Sequence, residues 1–151
     1  MKCFRVFCLL GISLLVPMLA INTASAQAVV SGNYYEDKGS SSCSATNACA
    51  IVFSQTPRYV LFTDVSCHVF ASAGSVYEIY FGVQDVASPP NLSPRRTEYF
   101  SAVNTATNDW VVRSKTNFLL GGGAWPVLIA WSTQSGSMGF SCKIVGTLNI
   151  P

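Results

Sequence analysis

The chain has 151 residues, of which half are hydrophobic and 11% are charged. A disordered chain would be polar or highly charged, so this composition excludes disorder and fits one folded domain. The formal net charge of +2 is too small for a nucleic-acid-binding protein that works by neutralising phosphates.

The first 26 residues predict a secretory signal peptide. Two basic residues precede an apolar run from Val6 to Ile21, and Ala24-Ser25-Ala26 has small residues at the two positions that a signal peptidase reads. The run is shorter than the roughly 20 residues that span a bilayer, which favours a cleaved leader over a membrane anchor. We therefore predict a signal peptide over 1–26 and an exported domain, periplasmic or secreted, over 27–151, with no integral membrane segment.

Removal of this leader changes the charge balance. Lys2 and Arg5 belong to the predicted signal peptide, so the remaining domain has seven basic and seven acidic residues. Its formal net charge is zero, and no attraction to nucleic acid or to another anionic partner follows from it.

The first part of the predicted domain contains two strands with a polar stretch between them. Ala28–Tyr35 is predicted to be a strand, and Glu36-Asp37 is interpreted as a solvated turn. The close spacing of Cys43 and Cys49 favours a disulfide that closes a small loop of polar and small residues. The dense apolar run Ala50–Phe53 is typical of a central strand.

The clearest strand signal lies in the middle of the chain. From Tyr59 to Ala71, apolar side chains and Cys67 share one face, whereas Asp64, Ser66 and His68 share the other. This alternation is the period of a half-buried strand. Val76–Val86 is predicted to be the next strand for the same reason.

The last third of the chain predicts four more strands. Phe140–Ile150 alternates clearly and places Cys142 on its apolar face. Gly121-Gly122-Gly123 is interpreted as a turn that leads into Trp125 and the following strand. The other three predicted strands are Thr97–Val103, Trp110–Phe118 and Val127–Trp131.

Four cysteines remain after the leader, an even number that suggests disulfides in an oxidising compartment. With Cys43 assigned to Cys49 by spacing, Cys67 is left for Cys142. Both of these lie on apolar faces, which predicts a buried bridge between two strands. A zinc site is not favoured, because the spacings include no CxxC pair. We predict no metal and no cofactor.

About eight short strands separated by turns rich in Gly, Pro, Ser and Asn predict an all-β domain. No stretch of ten or more residues has a helical period with caps. The pattern predicts a single β-sandwich, jelly-roll-like, with an immunoglobulin-like sandwich as the alternative.

Three segments resemble small exported β-rich proteins of Gram-negative bacteria. They are Cys49–Pro57 (CAIVFSQTP), Val60–Cys67 (VLFTDVSC) and Phe140–Leu148 (FSCKIVGTL). The resemblance implies an exported β-rich domain, and it implies no catalytic residue, because those proteins are largely uncharacterised.

Catalytic patterns are weak in this sequence. Asp64, Ser66 and His68 share a strand face, but Ser stands in the middle of a straight row, whereas a triad needs His between Asp and Ser. Nothing in the spacing singles out one pair of the seven acidic residues for glycoside hydrolysis. A small secreted hydrolase that uses carboxylates or His68 stays an alternative function.

Aromatic residues near turns and strand ends indicate a binding surface. Exposed rings stack on sugar faces and anchor protein interfaces, although aromatic residues also fill cores. We predict a non-enzymatic binding module for a glycan or a cell-envelope protein, and a structural envelope subunit that pairs through a sheet edge is a further alternative. The candidate ligand-binding residues are Trp125, Tyr34, Tyr35 and Trp110.

Overall fold

The computed structural model describes residues 27–87, 90 and 94–148. The predicted signal peptide lies outside these residues, as do residues 149–150 of the last predicted strand. The described residues form eight strands and no helix. The strands are β1 (Gln27–Ser31), β2 (Tyr34–Val52), β3 (Val60–Ala71), β4 (Val76–Gln84), β5 (Arg95–Phe100), β6 (Val103–Ala106), β7 (Asp109–Leu120) and β8 (Trp125–Leu148).

The strands form two layers because β2 and β8 are each long enough to contribute to both. The first layer has the order β1, residues 34–43 of β2, residues 138–148 of β8, β3, β7 and β6. In the second layer the order is residues 48–52 of β2, residues 125–132 of β8, β4 and β5. All strand pairs are antiparallel. Apart from the added edge strands β1 and β6, each layer has four strands in the order of a jelly roll, which confirms the predicted fold.

β2 and β8 turn from one layer into the other at a shared corner. Thr46 faces Gly136 and Ala48 faces Trp131, so β8 has three extra residues at this point. Ala45 adopts a left-handed backbone conformation with φ of 55° in the same segment. Bulges of this kind bend a strand and increase its twist, which allows both strands to leave the first layer together.

The core lies between the two layers. The ring of Phe81 on β4 lies 5.1 Å from that of Phe62 on β3 and 4.9 Å from that of Phe118 on β7. Gly39 and Ile51 belong to the two halves of β2, and a Cβ on Gly39 would lie 2.5 Å from Cγ2 of Ile51. β2 therefore folds back over itself, and the absence of a side chain at Gly39 permits this close approach.

Both predicted disulfides are confirmed. Cys67 and Cys142 face each other on β3 and β8 with Cα atoms 4.1 Å apart, and both are buried. Cys43 and Cys49 flank the corner of β2 with Cα atoms 5.7 Å apart. The short bridge therefore links the two halves of β2 across the bend.

The start of the domain differs from the prediction. The predicted strand Ala28–Tyr35 is divided by a two-residue turn at Gly32-Asn33, where Gly32 has a φ of 57°, and this turn joins β1 to β2. The interpretation of Glu36-Asp37 as a solvated turn is wrong, because both residues are in β2 and Asp37 is fully buried.

Two further boundaries differ in the second half of the chain. The predicted strands Val127–Trp131 and Phe140–Ile150 belong to one continuous strand, β8, because the polar residues between them form the corner rather than a loop. The predicted strand Thr97–Val103 is divided, since β5 ends at Phe100 and β6 begins at Val103.

Candidate functional site

The outer face of the first layer is polar and contains several ion pairs. The Lys38 ammonium lies 2.8 Å from Glu36 and the Lys143 ammonium 3.8 Å from it, while Lys115 lies 2.5 Å from Asp64. Hydrogen bonds from Lys38 and Tyr34 lower the pKa of Glu36 to about 2, and the hydrogen bond from Lys115 lowers the pKa of Asp64. Both carboxylates are therefore ionised and paired at neutral pH.

The outer face of the second layer is apolar and aromatic. Ala50, Tyr80, Val127 and Ile129 form a buried cluster there, separate from the main core. Val52 and Trp131 pack against this cluster as partly buried residues. Strand alternation places these side chains on the surface of the sheet that faces away from the first layer. We call this surface, from Trp125 to Trp131 on β8 together with Tyr80 and Tyr99, the aromatic face.

The rings at one end of the aromatic face contact each other. The Trp131 Nε1–H donates a hydrogen bond of 3.0 Å to the hydroxyl of Tyr80. The rings of Tyr80 and Tyr99 have centroids 5.7 Å apart and planes inclined at 60°. Tyr99 is the most exposed of the three at 63%, and burial raises the pKa of the Tyr80 hydroxyl. These contacts hold Trp131 and Tyr80 in fixed positions beside a solvent-accessible ring.

The four predicted ligand-binding residues are not brought together. Tyr35 is fully buried and Trp110 is 6% exposed, so both rings lie in the main core. Tyr34 is 42% exposed on the first layer, where its hydroxyl donates a hydrogen bond to Glu36. Trp125 is half-buried and shares the alternation of β8 with Trp131, about 20 Å further along the strand at 3.4 Å per residue.

A groove of about 430 Å³ lies on the outer face of the first layer. The residues that line it include His68, Phe70, Gly139 and Phe140. The Nε2 atom of His68 lies 3.2 Å from Oδ1 of Asp109. The serine residues that line the groove are Ser40, Ser41, Ser42 and Ser141.

His68 lies between an acidic residue and a serine in this groove. Asp109, which contacts His68, is on β7. Ser141 is on β8 and faces His68 directly in the register of β3 and β8. This order across three strands differs from the row of Asp64, Ser66 and His68 along one strand. In the described part of the chain no hydrogen bond joins His68 to Ser141. The backbone N–H groups that an oxyanion site would need are hydrogen-bonded between the strands of the sheet. Hydrolysis through His68 stays a prediction.

Asp37 is the carboxyl group that the fold buries most deeply. Its Oδ2 accepts a hydrogen bond of 2.7 Å from the backbone N–H of Ser54 and a longer one from the Tyr35 hydroxyl, whereas its buried Oδ1 has no hydrogen-bond partner. Burial raises the pKa of Asp37, whereas the hydrogen bonds that its carboxylate accepts act to lower it. Burial also raises the pKa of the Tyr35 hydroxyl. The bond to Ser54 joins the first layer to the segment that follows β2.

The raised pKa of Asp37 predicts a specific pH dependence of stability. A raised pKa in the folded state favours the protonated form of the carboxyl group. The contribution of Asp37 to the free energy of unfolding is therefore greatest at acid pH and is lost as the pH rises through that pKa. We expect Asp37→Asn to become progressively more stable relative to the wild type between pH 3 and pH 7. Urea unfolding at a series of pH values measures this difference.

Glu36→Gln is the matched control for Asp37→Asn. The pKa of Glu36 is lowered to about 2 in the folded protein. Glu36 therefore stabilises the folded state at pH values above the ordinary pKa of a glutamate, and this stabilisation disappears as the pH falls toward 2. The stability of Glu36→Gln relative to the wild type should therefore fall as the pH rises. Parallel pH profiles for the two variants would contradict the opposite environments of these adjacent carboxyl groups.

Sequence reasoning did not identify Tyr80 and Tyr99 as candidate site residues. The signal available was that β4 and the first part of β8 are apolar on both faces, as in Ile79-Tyr80-Phe81 and Val127–Trp131. In a two-layer fold one face of each strand lies against the other layer, so an apolar second face indicates a further contact surface.

No family model and no curated protein matches this chain. Among solved structures, the coat protein of Tobacco streak virus matches with 14% sequence identity and a TM-score of 0.34, covering 92% of this chain and 93% of that chain. The jelly-roll assignment follows from the order of the strands in the two layers.

Two features are absent from residues 27–87, 90 and 94–148. No helix there is long and apolar enough to cross a membrane. No group of three or more His, Cys, Asp or Glu residues there is arranged to hold a metal ion.

Proposed function

We propose that this protein is an exported, non-enzymatic binding module that holds an extended polysaccharide on its aromatic face. The observation that carries the proposal is the arrangement of Trp131, Tyr80 and Tyr99 on one outer sheet surface, with Trp125 on the same strand face. Aromatic rings present apolar faces to the C–H groups of sugars, while tyrosine hydroxyls and indole N–H groups add hydrogen bonds.

The shape of the aromatic face favours a polymer over a small molecule. Small ligands occupy concave cavities that enclose most of their surface. The aromatic face instead follows β8 over a length of about 20 Å between Trp125 and Trp131, at 3.4 Å per residue. Val127 and Ile129 between them are buried, so an extended chain would contact the partly exposed rings of Trp125 and Trp131 at the two ends and the exposed ring of Tyr99.

The distribution of charge supports a neutral ligand. The predicted domain has no formal net charge, and the charged residue beside the aromatic face is a carboxylate, Glu78, which faces Trp131 in the register of β4 and β8. A ligand on the aromatic face would therefore be held by stacking and hydrogen bonds, so its binding should depend little on salt.

Two observations support export. The disulfides Cys43–Cys49 and Cys67–Cys142 are typical of an oxidising compartment. The sequence also predicts a leader over 1–26, which a secretory pathway would remove.

Removal of the exposed ring of Tyr99 is expected to weaken polysaccharide binding. Tyr99→Ala should lower the affinity about tenfold, equivalent to about 1.4 kcal/mol, and Trp131→Ala by at least as much. Binding can be measured by depletion from solution on insoluble cellulose, chitin and peptidoglycan, and by affinity electrophoresis in soluble glucans, at two salt concentrations.

Tyr34→Ala is the matched control, because Tyr34 is a partly exposed tyrosine on the opposite layer. Its affinity should equal that of the wild type. The proposal fails if the wild type binds none of these polysaccharides, or if Tyr34→Ala weakens binding while Tyr99→Ala does not. Circular dichroism of each variant establishes that the fold is retained.

A further inference from the structure

β1 is an edge strand that contributes almost nothing to the core. It pairs only with β2 among the described strands, and all five of its residues are exposed. Val29 and Val30 point to opposite faces of the sheet, yet each is 50% exposed. Among the described residues, this strand therefore presents two apolar side chains and a row of backbone groups without a strand partner at the edge of the sheet.

Each of the other three sheet edges in the described part of the chain has a feature that protects it. Residues 48–52 of β2 form one edge of the second layer, and they are buried except for the partly exposed Val52. β5 contains Arg95, which forms an ion pair with Asp85, and its register with β4 is interrupted between Phe81 and Val83. β6 has only four residues, and its register with β7 is also irregular. Charged residues, short length and bulges are common means of preventing edge pairing. β1 has no charged side chain and no proline, and its register with β2 is uninterrupted.

The sequence of β1 is complementary to itself in the antiparallel direction. If two copies of β1 pair about a two-fold axis at Val29, Gln27 faces Ser31 and Ala28 faces Val30 of the other copy. Polar residues then meet polar residues, apolar residues meet apolar residues, and all five positions are paired. Such a two-fold contact uses the same edge of both copies, so it produces a dimer in which neither β1 edge can bind a third copy.

We propose that two copies of this chain associate through β1, which pairs with β1 of the second copy in an antiparallel, two-fold-symmetric arrangement centred on Val29. The first layers of the two copies then form one continuous sheet across the axis. Backbone hydrogen bonds and the contacts of Val29 and Val30 hold this interface together. Only five residues of each copy take part, so the dimer should be weak and should depend on protein concentration.

This inference is independent of the polysaccharide proposal. β1 belongs to the first layer, whereas the aromatic face belongs to the second, so dimerisation leaves the aromatic face accessible in both copies. If both proposals hold, the dimer would bind one polymer through two faces and gain from multivalency.

A cysteine placed at the two-fold axis tests the proposed register. Cα atoms directly opposite each other in an antiparallel pair lie about 4.5 to 5.5 Å apart, within the range that a disulfide spans. Val29→Cys should therefore form a covalent dimer on mild oxidation of the full chain, expressed with its own leader and purified with its native disulfides intact. Non-reducing electrophoresis measures the dimer fraction.

Two controls separate this register from chance collision. Ser31→Cys places the thiol on the same strand but about 13 Å from its counterpart, at 3.3 Å per residue, and should give little dimer. Val103→Cys places an exposed thiol on β6 at the opposite edge of the layer and should also remain monomeric. A monomeric Val29→Cys, or equal dimer fractions for all three variants, would overturn the proposal.

Association without cross-linking provides a second measurement. Light scattering coupled to size-exclusion chromatography should show a mass that rises toward that of two chains as the wild-type concentration is increased. Val30→Lys places a like charge from each copy at the interface and should raise the dimer dissociation constant at least about tenfold, whereas Val103→Lys should leave it unchanged. A wild-type mass of one chain at every concentration up to the millimolar range excludes the dimer.

Discussion

Replacement of Cys67 and Cys142 together by alanine is expected to lower the free energy of unfolding by about 4 to 5 kcal/mol. The two residues are 75 apart in sequence and join β3 to β8, so the bridge closes most of the domain into one loop. A loop of this length restricts the unfolded chain strongly, and its loss makes unfolding more favourable. Denaturant unfolding followed by tryptophan fluorescence measures the change.

The double variant Cys43→Ala, Cys49→Ala is the matched comparison. Its bridge spans a sequence separation of 6, so the same loop-entropy model gives a loss of only about 2 kcal/mol. If removal of the short bridge cost as much as removal of the long one, loop entropy would not explain the stabilisation, and strain at the corner of β2 would have to be considered.

Phe81→Ala is expected to cost about 3 to 5 kcal/mol, because it removes a fully buried ring from the centre of the core. Phe81 is on β4 in the second layer, and its ring contacts Phe62 and Phe118 in the first layer. Truncation to alanine leaves a cavity between layers that are fixed by their hydrogen-bonded strands, so the surroundings cannot collapse to fill it. Equilibrium unfolding in urea measures the loss.

Phe70→Ala is the control for this substitution, since Phe70 is 42% exposed on the outer face of the first layer. It should change the free energy of unfolding by no more than about 1 kcal/mol. Phe81→Leu, which retains most of the apolar volume, should fall between the two. Equal losses for Phe81→Ala and Phe70→Ala would be incompatible with a core between the layers.

The strand pattern could be predicted because alternation is a local property. From Val65 to Ala71 every second residue lies in the core, as the sequence predicts. Before that the prediction is wrong, because an irregularity between Phe62 and Asp64 places Val60 and Phe62 in the core and leaves Tyr59 exposed. The same local pattern placed Cys67 and Cys142 on apolar faces and therefore predicted their pairing correctly. Local spacing was likewise sufficient for Cys43 and Cys49.

The candidate site was less accessible to sequence reasoning, because the position of an aromatic residue in the chain does not indicate which side of a layer it faces. Tyr34 and Tyr35 are adjacent, and alternation required one of them to point outward. The structure shows that Tyr35 is in the core and Tyr34 on the surface. Trp125 and Trp131 lie on one face because residues 125–131 pair with β4 in an uninterrupted register.

The sequence by itself determined the secondary structure class, the disulfide pairing and the buried faces of residues 65–71 and 140–148. The tertiary structure decided that β2 and β8 each cross from one layer to the other, that Asp37 is buried inside and that the aromatic face is on the outside. These features depend on pairing between residues far apart in sequence. A strand that is apolar on both faces does not specify which face meets the other layer until that layer is in place.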